Sequence, residues 1–231
     1  MTNYRSIGLL ATLLMLLAVS GCKRNTTAPP AASASSTASK ADKNKGRRNV
    51  VLFIGDSLTA GYRLMRSEAF PALIGKHWKE NNQPWRARGA GVSGETSAGT
   101  LRRLNWVLSD KDIHTVFLCI GANDGLRGQP VANMKKNMEA LIRRIRKRGI
   151  RVILGGMQMP PNLGPKYTRE FAAVYVDLAK KYSLKRMPFL LKDVAGKRPL
   201  NLSDGIHPNP KGHKIIAQNI LAFFKQEGVL Q

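Results

Sequence analysis

The chain has 231 residues, of which 43% are apolar and 23% are charged. This length accommodates one ordinary domain with a leader and a linker, and the composition excludes a collagen, a coiled coil and a multi-span membrane protein. The unusual property is the charge, because 38 Lys and Arg residues oppose 14 Asp and Glu residues and give a formal net charge of +24. Such a chain attracts anionic partners, including lipid headgroups, lipopolysaccharide, phosphorylated substrates and nucleic acid.

The beginning of the chain has the pattern of an export signal. Arg5 supplies a positive charge, and residues 7–19 form an apolar stretch that is too short to span a bilayer comfortably. The stretch runs into VSGC at 19–22, which resembles the lipobox of bacterial lipoproteins. That resemblance implies that residues 1–21 are a signal peptide that is removed and that Cys22 becomes the lipidation site. An ordinary secretory leader with an incidental cysteine is the alternative.

Residues 22–48 have the composition of a linker, with Ala, Ser, Thr and Pro followed by a basic end. Such a segment cannot bury enough apolar surface to order itself, so we expect a disordered basic tether. Its basic end either lies on anionic headgroups or is simply solvated. The lipobox resemblance implies an exported lipoprotein on the periplasmic face of the cell envelope. Lys23 stands where an inner-membrane retention signal has an acidic residue, which favours the outer membrane.

From residue 49 onward, strand-like and helix-like segments alternate. In chain order the predicted elements are a strand at 49–54, a helix at 68–81, a strand at 85–91, a helix at 97–108, a strand at 114–121, a helix at 131–148, a strand at 150–155, a helix at 166–182, a strand within 184–191 and a helix at 210–225. Residues 49–231 are therefore expected to form an α/β domain, a three-layer α/β/α sandwich around a doubly wound, five-stranded parallel sheet of flavodoxin-like type. Cys119 lies in the third strand and is expected to be a buried core residue rather than a disulfide partner.

Polar and glycine-rich motifs stand at the ends of predicted strands. They are GDSLT at 55–59, GVSGE at 91–95, GAND at 121–124 and, before the last helix, DGIHP at 204–208. Because sites in such sheets form at the carboxyl ends of the strands, we expect these four motifs to converge. Together they hold a hydroxyl nucleophile, an Asp/His pair, a backbone donor and an amide donor, which are the groups that acyl transfer requires.

The same blocks resemble a known family. Their longer forms are GDSLTAGYRL at 55–64, GVSGETSAGTLRRL at 91–104, GANDGLRG at 121–128 and DGIHPNPKGH at 204–213. They resemble the SGNH (GDSL) hydrolases, most closely the branch of thioesterase I, lysophospholipase L1 and arylesterase, and the likeness covers residues 50–225. MQMPPNLGPKY at 157–167 also resembles the loop that shapes the acyl pocket in that branch.

The resemblance implies a role for each matching residue. Ser57 resembles the nucleophile, His207 the general base, and Asp204 the carboxylate that holds His207 in its tautomer. The oxyanion hole resembles the backbone N–H groups of Ser57 and Gly94 together with the side-chain amide of Asn123. The implied activity is hydrolysis of aryl, short-chain acyl or lysophospholipid esters, or of thioesters, through an acyl-enzyme, with no cofactor and no metal.

Two other functions stay open at this point. Related branches of the family deacetylate envelope glycans, so an O-deacetylase is the alternative within the hydrolases. A non-catalytic lipoprotein that binds anionic envelope components is the alternative of another class. The predicted helix at 131–148 is densely basic, and its basic side is either a solvated face or a contact with anionic membrane or lipopolysaccharide. We expect no nucleic-acid partner and a monomer.

Overall fold

The structure is a computed structural model, and it describes residues 49–230. The predicted signal peptide at 1–21, the tether at 22–48 and the lipidation site Cys22 lie outside the described residues. Within the described part of the chain, no helix combines the length and the apolar character needed to cross a membrane.

A five-stranded parallel sheet forms the centre of the domain. Its strands are β1 (Val50–Gly55), β2 (Arg86–Gly91), β3 (Ile113–Cys119), β4 (Arg151–Gly155) and β5 (Lys185–Met187). The strand order is β2-β1-β3-β4-β5. The chain therefore adds β2 on one side of β1 and the later strands on the other side, while all strands stay parallel. Every residue of β1 is buried, as expected for a central strand covered on both faces. The predicted doubly wound parallel sheet is thus confirmed.

Helices cover both faces of this sheet. They are α1 (Ser57–Ala60), α2 (Phe70–Glu80), α3 (Ser97–Val107), α4 (Ala122–Leu126), α5 (Val131–Lys147), α6 (Pro165–Tyr182) and α7 (Pro210–Gln226). Helix α2 contacts α7, while α5 contacts both α3 and α6, which gives two helical layers. The three-layer sandwich is confirmed. The two short helices α1 and α4 did not emerge from the sequence, because four or five residues are too few for a periodic apolar pattern.

A buried histidine joins the start of α2 to α7. The first N–H of α2, on Phe70, donates to Nδ1 of His213 at 3.2 Å, and the two rings stack with their centroids 6.1 Å apart. The His213 side chain accepts at Nδ1, so it is neutral, with its proton on Nε2. Burial lowers the pKa of His213 to about 4, with a smaller contribution from His207 in the same direction.

We predict that His213→Gln changes how stability depends on pH. The pKa of His213 falls from 6.5 to about 4 on folding, so the wild-type protein loses stability as the pH falls through this window, by up to about 3 kcal/mol. Glutamine retains an acceptor for the Phe70 N–H but does not titrate. The free energy of unfolding, measured with urea, should therefore differ between the two proteins by an amount that changes by up to about 3 kcal/mol between pH 7.5 and pH 4.5. A difference that is the same at both pH values would contradict a buried neutral histidine.

Candidate active site

Ser57 stands at the sharp turn between β1 and α1. It is the first residue of α1, and Asp56 caps the helix by accepting the Leu58 N–H at 3.0 Å. Burial raises the pKa of Asp56 to about 6, although the hydrogen bond from Leu58 opposes the shift. Asp56 is thus a local hydrogen-bond anchor for the start of α1. The turn therefore presents the Ser57 hydroxyl at the carboxyl edge of the sheet.

The turn is possible because Gly55 has no side chain. A Cβ at Gly55 would lie 2.2 Å from Thr59 Oγ1 and 2.6 Å from the carbonyl oxygen of Cys119 on the neighbouring strand. The Cys119 thiol is buried against Thr59 Oγ1 at 3.1 Å, and burial raises its pKa to about 12. Cys119 is thus an inert core residue beneath the turn, as its apolar sequence context predicts.

His207 lies between Ser57 and Asp204. Its Nε2 is 2.9 Å from Ser57 Oγ, and its Nδ1 is 2.9 Å from Asp204 Oδ2. The other carboxylate oxygen of Asp204 accepts the N–H groups of Ile206 and His207, each at 3.0 Å. Desolvation alone would raise the pKa of Asp204, but the hydrogen bonds from His207 and Ile206 together lower it below its ordinary value. An ionised carboxylate at Nδ1 leaves Nε2 able to accept a proton from the serine.

A tyrosine packs against this histidine. The ring of Tyr62, in the loop after α1, lies 4.5 Å from the His207 ring, centroid to centroid, at an angle of 38°. The contact restricts the imidazole from one side while Asp204 holds it from another. Sequence reasoning missed Tyr62, because nothing in its local pattern ties it to a residue near the other end of the domain.

Two of the three predicted oxyanion donors, Gly94 and Asn123, belong to segments that contact each other. Asn123, in α4, lines the same cavity as Ser57, and its Nδ2 donates one proton to the Glu95 carbonyl at 3.1 Å. The second amide proton of Asn123 remains for a ligand. Gly94 precedes Glu95 with φ +76°, and its carbonyl accepts from Arg127 Nη2 at 2.7 Å. Gly94 does not line the cavity itself but a depression beside it that also includes Arg127.

Internal hydrogen bonds hold the Gly94 segment and helix α4 in place. The Glu95 carboxylate accepts from Thr100 Oγ1 at 2.9 Å and forms a two-point ion pair with Arg103. In α4, the buried carboxylate of Asp124 accepts the N–H and the hydroxyl of Ser97, at 2.8 and 2.6 Å. The local sequence gives no sign of the role of Glu95, because its partners Thr100 and Arg103 are identified only by the fold. These contacts fix the positions of Gly94 and Asn123.

Ser57 and His207 open onto a cavity of about 570 Å³. Its wall is mainly apolar and includes Leu58, Ala122, Met157, Met159, Phe189 and Ile206. The part from Met157 to Pro161 belongs to the segment whose sequence resembles a pocket-shaping loop, and the structure places it at the cavity. The sequence does not identify Phe189 and Ile206 as wall residues, because the tertiary fold decides which side chains face the cavity. Within residues 49–230, no group of three or more His, Cys, Asp or Glu side chains is arranged to hold a metal ion.

Comparisons with known proteins match most of the described domain to one family. The model of the GDSL-like Lipase/Acylhydrolase family matches residues 53–215. The chain is 35% identical over 170 residues to Esterase TesA of Pseudomonas aeruginosa, covering 74% of this chain and 85% of the relative. It is 32% identical over 169 residues to thioesterase 1/protease 1/lysophospholipase L1 of Escherichia coli, covering 73% of this chain and 80% of the relative.

A solved structure shows the same fold. It is the psychrotrophic esterase EstA from Pseudoalteromonas sp., inhibited by monoethylphosphonate, which matches with a TM-score of 0.75 and 33% identity. The match covers 78% of this chain and 98% of that chain, so the domain described here corresponds to nearly a whole folded protein. Fold and site thus define an ester hydrolase. The chain belongs to the GDSL-like lipase/acylhydrolase family, also called the SGNH hydrolases.

We predict that Asp204→Asn lowers kcat by about 1,000-fold or more with little change in KM, because the amide no longer fixes the His207 tautomer or stabilises an imidazolium. Steady-state kinetics with a p-nitrophenyl ester measure both constants. The matched control is Asp177→Asn, a surface aspartate that pairs with Lys135 at 2.6 Å. It should stay within about twofold of wild type, since an exposed ion pair contributes little. Equal losses in the two variants would contradict the orienting role of Asp204.

Proposed function

We propose that this ester hydrolase works through an acyl-enzyme formed on Ser57. The observation that carries the proposal is the continuous hydrogen-bonded series from Ser57 Oγ through the His207 ring to Asp204, with 2.9 Å at each contact. His207 accepts the Ser57 proton as the hydroxyl attacks the carbonyl carbon, and returns it to the leaving alcohol or thiol. Water then attacks the acyl-enzyme, with His207 again as the base, and the acid departs.

The negative charge that develops on the carbonyl oxygen needs hydrogen-bond donors. We assign this role to the N–H groups of Ser57 and Gly94 and to the free amide proton of Asn123. The Arg127 guanidinium, bonded to the Gly94 carbonyl, polarises the peptide unit that follows Gly94 and holds the loop. Removal of one such donor costs about 10² to 10³ in rate in enzymes of this kind. No step requires a metal or a cofactor.

The cavity favours an acyl chain as the group beside Ser57. Its wall of methionine, leucine and phenylalanine side chains suits a hydrocarbon, and methionine adapts to ligands of different shape. An acetyl group would fill only a small part of about 570 Å³, so the cavity supports the acyl ester over an O-acetylated glycan. The substrates that fit are aryl and acyl esters, lysophospholipids and thioesters.

We also propose that the enzyme is an exported lipoprotein. The support is the leader of residues 1–21, the lipobox ending at Cys22 and the basic linker that follows. Attachment would be on the periplasmic face of the envelope, with the outer membrane favoured by Lys23. Palmitate labelling of the wild type and of Cys22→Ala tests this; equal labelling of the two would contradict it. An exported enzyme meets little acyl-CoA, which favours oxygen esters over thioesters.

The test of the catalytic proposal is turnover of p-nitrophenyl esters, from acetate to laurate, by residues 49–231. Ser57→Ala should lose at least about 10⁴-fold in kcat with every ester. Ser109→Ala, an exposed serine beyond α3, is the matched control and should keep wild-type rates. Substantial turnover by Ser57→Ala, or none by the wild type with any ester, would contradict the proposal.

We predict that Met159→Trp shortens the preferred acyl chain. Met159 lines the cavity beside Pro160, and the larger indole would occupy space that a long chain needs. The ratio of kcat/KM for laurate to kcat/KM for acetate should fall by about tenfold or more, since the loss of about two buried methylene contacts has that effect. An unchanged ratio would place the acyl chain elsewhere.

A further inference from the structure

The outer sides of α3 and α5 form one surface with an unusual composition. The two helices run side by side, because Asn137 Nδ2 donates to Ser97 Oγ near one end, and Arg148 donates to Asn105 Oδ1 and to the Leu108 carbonyl at the other. Exposed cations and one exposed tryptophan cover their solvent side. We call this the α3–α5 surface and define it by Arg102, Trp106, Lys136, Arg144 and Lys147.

The cations of the α3–α5 surface are not neutralised within the domain. Two other basic residues of α5 have partners, because Lys135 pairs with Asp177 and Arg146 donates to the Tyr182 carbonyl. In contrast, no hydrogen bond or ion pair within residues 49–230 involves the side chain of Arg102, Lys136, Arg144 or Lys147. These four positive charges therefore face solvent.

Acidic residues are missing from the same surface. Helix α3 has none, and α5 has only Glu139. Glu139 is directed to α6, where Lys181 Nζ and Tyr182 Oη both donate to its carboxylate, and this pair of hydrogen bonds lowers the pKa of Glu139 below its ordinary value. The α3–α5 surface thus carries one sign of charge only. A solvated helix face usually mixes the two signs.

Trp106 adds a second and independent feature. It is 76% exposed, the most exposed of the large apolar side chains in the described part of the chain. The other tryptophans differ, since Trp78 is buried and Trp85 donates its Nε1 proton to the Leu230 carbonyl. Arg102 lies one helical turn before Trp106, so cation and indole share one side of α3. Exposed tryptophan beside basic residues is typical of a helix surface that lies in the interface of a bilayer.

The position of this surface fits a membrane contact. Trp106 and Arg148 lie at the carboxyl ends of α3 and α5, at the edge of the sheet opposite the strand ends that carry Ser57. Val50 starts β1 at that same opposite edge, where its N–H donates to the Asp112 carbonyl in the loop after α3. Residue 49, the first described residue, therefore lies near the Trp106 end of the α3–α5 surface. That end is the one away from Ser57, whereas Arg102 also lines the depression that includes Gly94.

We propose that the α3–α5 surface docks on an anionic phospholipid bilayer, with Trp106 inserted among the headgroups. The four unpaired cations supply attraction to the lipid phosphates, and the indole supplies apolar contact and a hydrogen-bond donor at the boundary. This docking extends the proposed envelope location and is independent of lipidation at Cys22. It also does not depend on the esterase mechanism.

The experiment measures binding of residues 49–231 to vesicles of phosphatidylglycerol and of phosphatidylcholine by co-sedimentation. Wild type should bind the anionic vesicles and not the neutral ones. The double variant R144Q/K147Q should bind about 30-fold more weakly, because each basic residue near the surface contributes about 1 kcal/mol. Trp106→Ala should bind about fivefold more weakly, and its matched control is Val176→Ala, an exposed apolar residue on α6, which should bind like wild type.

Tryptophan fluorescence supplies the decisive second readout. The wild-type emission should shift to the blue on anionic vesicles, and the shift should vanish in Trp106→Ala. The proposal would be overturned if the wild type showed no preference for anionic vesicles. It would also be overturned if R144Q/K147Q bound more weakly but the wild-type emission showed no blue shift on those vesicles. So would binding to lipopolysaccharide or DNA but not to the vesicles. Each protein is also assayed with p-nitrophenyl butyrate, so that an inactive wild type would count against the esterase proposal and not against docking.

Discussion

The hydrogen bond between Ser57 Oγ and His207 Nε2 spans 150 residues of sequence, and the domain is arranged so that these two atoms meet at 2.9 Å. The parallel sheet brings the end of β1 to the edge where the loop before α7 returns. Asp204 fixes the imidazole from one side, and the Tyr62 ring covers another. The turn that presents Ser57 exists because Gly55 allows Thr59 and the Cys119 carbonyl to approach where a Cβ would stand.

The cavity and the charged surface have different linings, and only Arg102 of the charged surface also lines the depression beside the cavity. The apolar cavity opens at the carboxyl ends of the strands, where irregular segments such as the one from Met157 to Pro161 supply the wall. The unpaired cations are exposed on the outer sides of α3 and α5, and Trp106 lies towards the other edge of the sheet. The proposed bilayer contact at the Trp106 end of this surface would leave the cavity accessible to substrate. The net charge of +24 favours anionic partners and does not itself enter the proposed reaction.

Much of this architecture could be predicted from the sequence, because long helices and buried strands have periodic apolar patterns. The predicted helix at 166–182 begins one residue inside α6, whereas the last strand is only Lys185–Met187 because Pro188 cannot extend the ladder. Short helices and cavity walls leave no periodic signal, so α1, α4 and Phe189 were missed. Contacts between distant segments, such as Tyr62 with His207, or Glu95 with both Arg103 and Asn123, depend on the tertiary fold.

We propose that His207 activates Ser57 for attack on the substrate carbonyl. The most direct measurement is covalent labelling with a fluorophosphonate, followed by intact mass and peptide mapping. We predict one adduct per chain, located on Ser57, and labelling at least about 100-fold slower in His207→Gln, since loss of a general base has an effect of that size. An adduct on another residue, or equal labelling rates in the wild type and His207→Gln, would contradict the role of His207 as the base that activates Ser57.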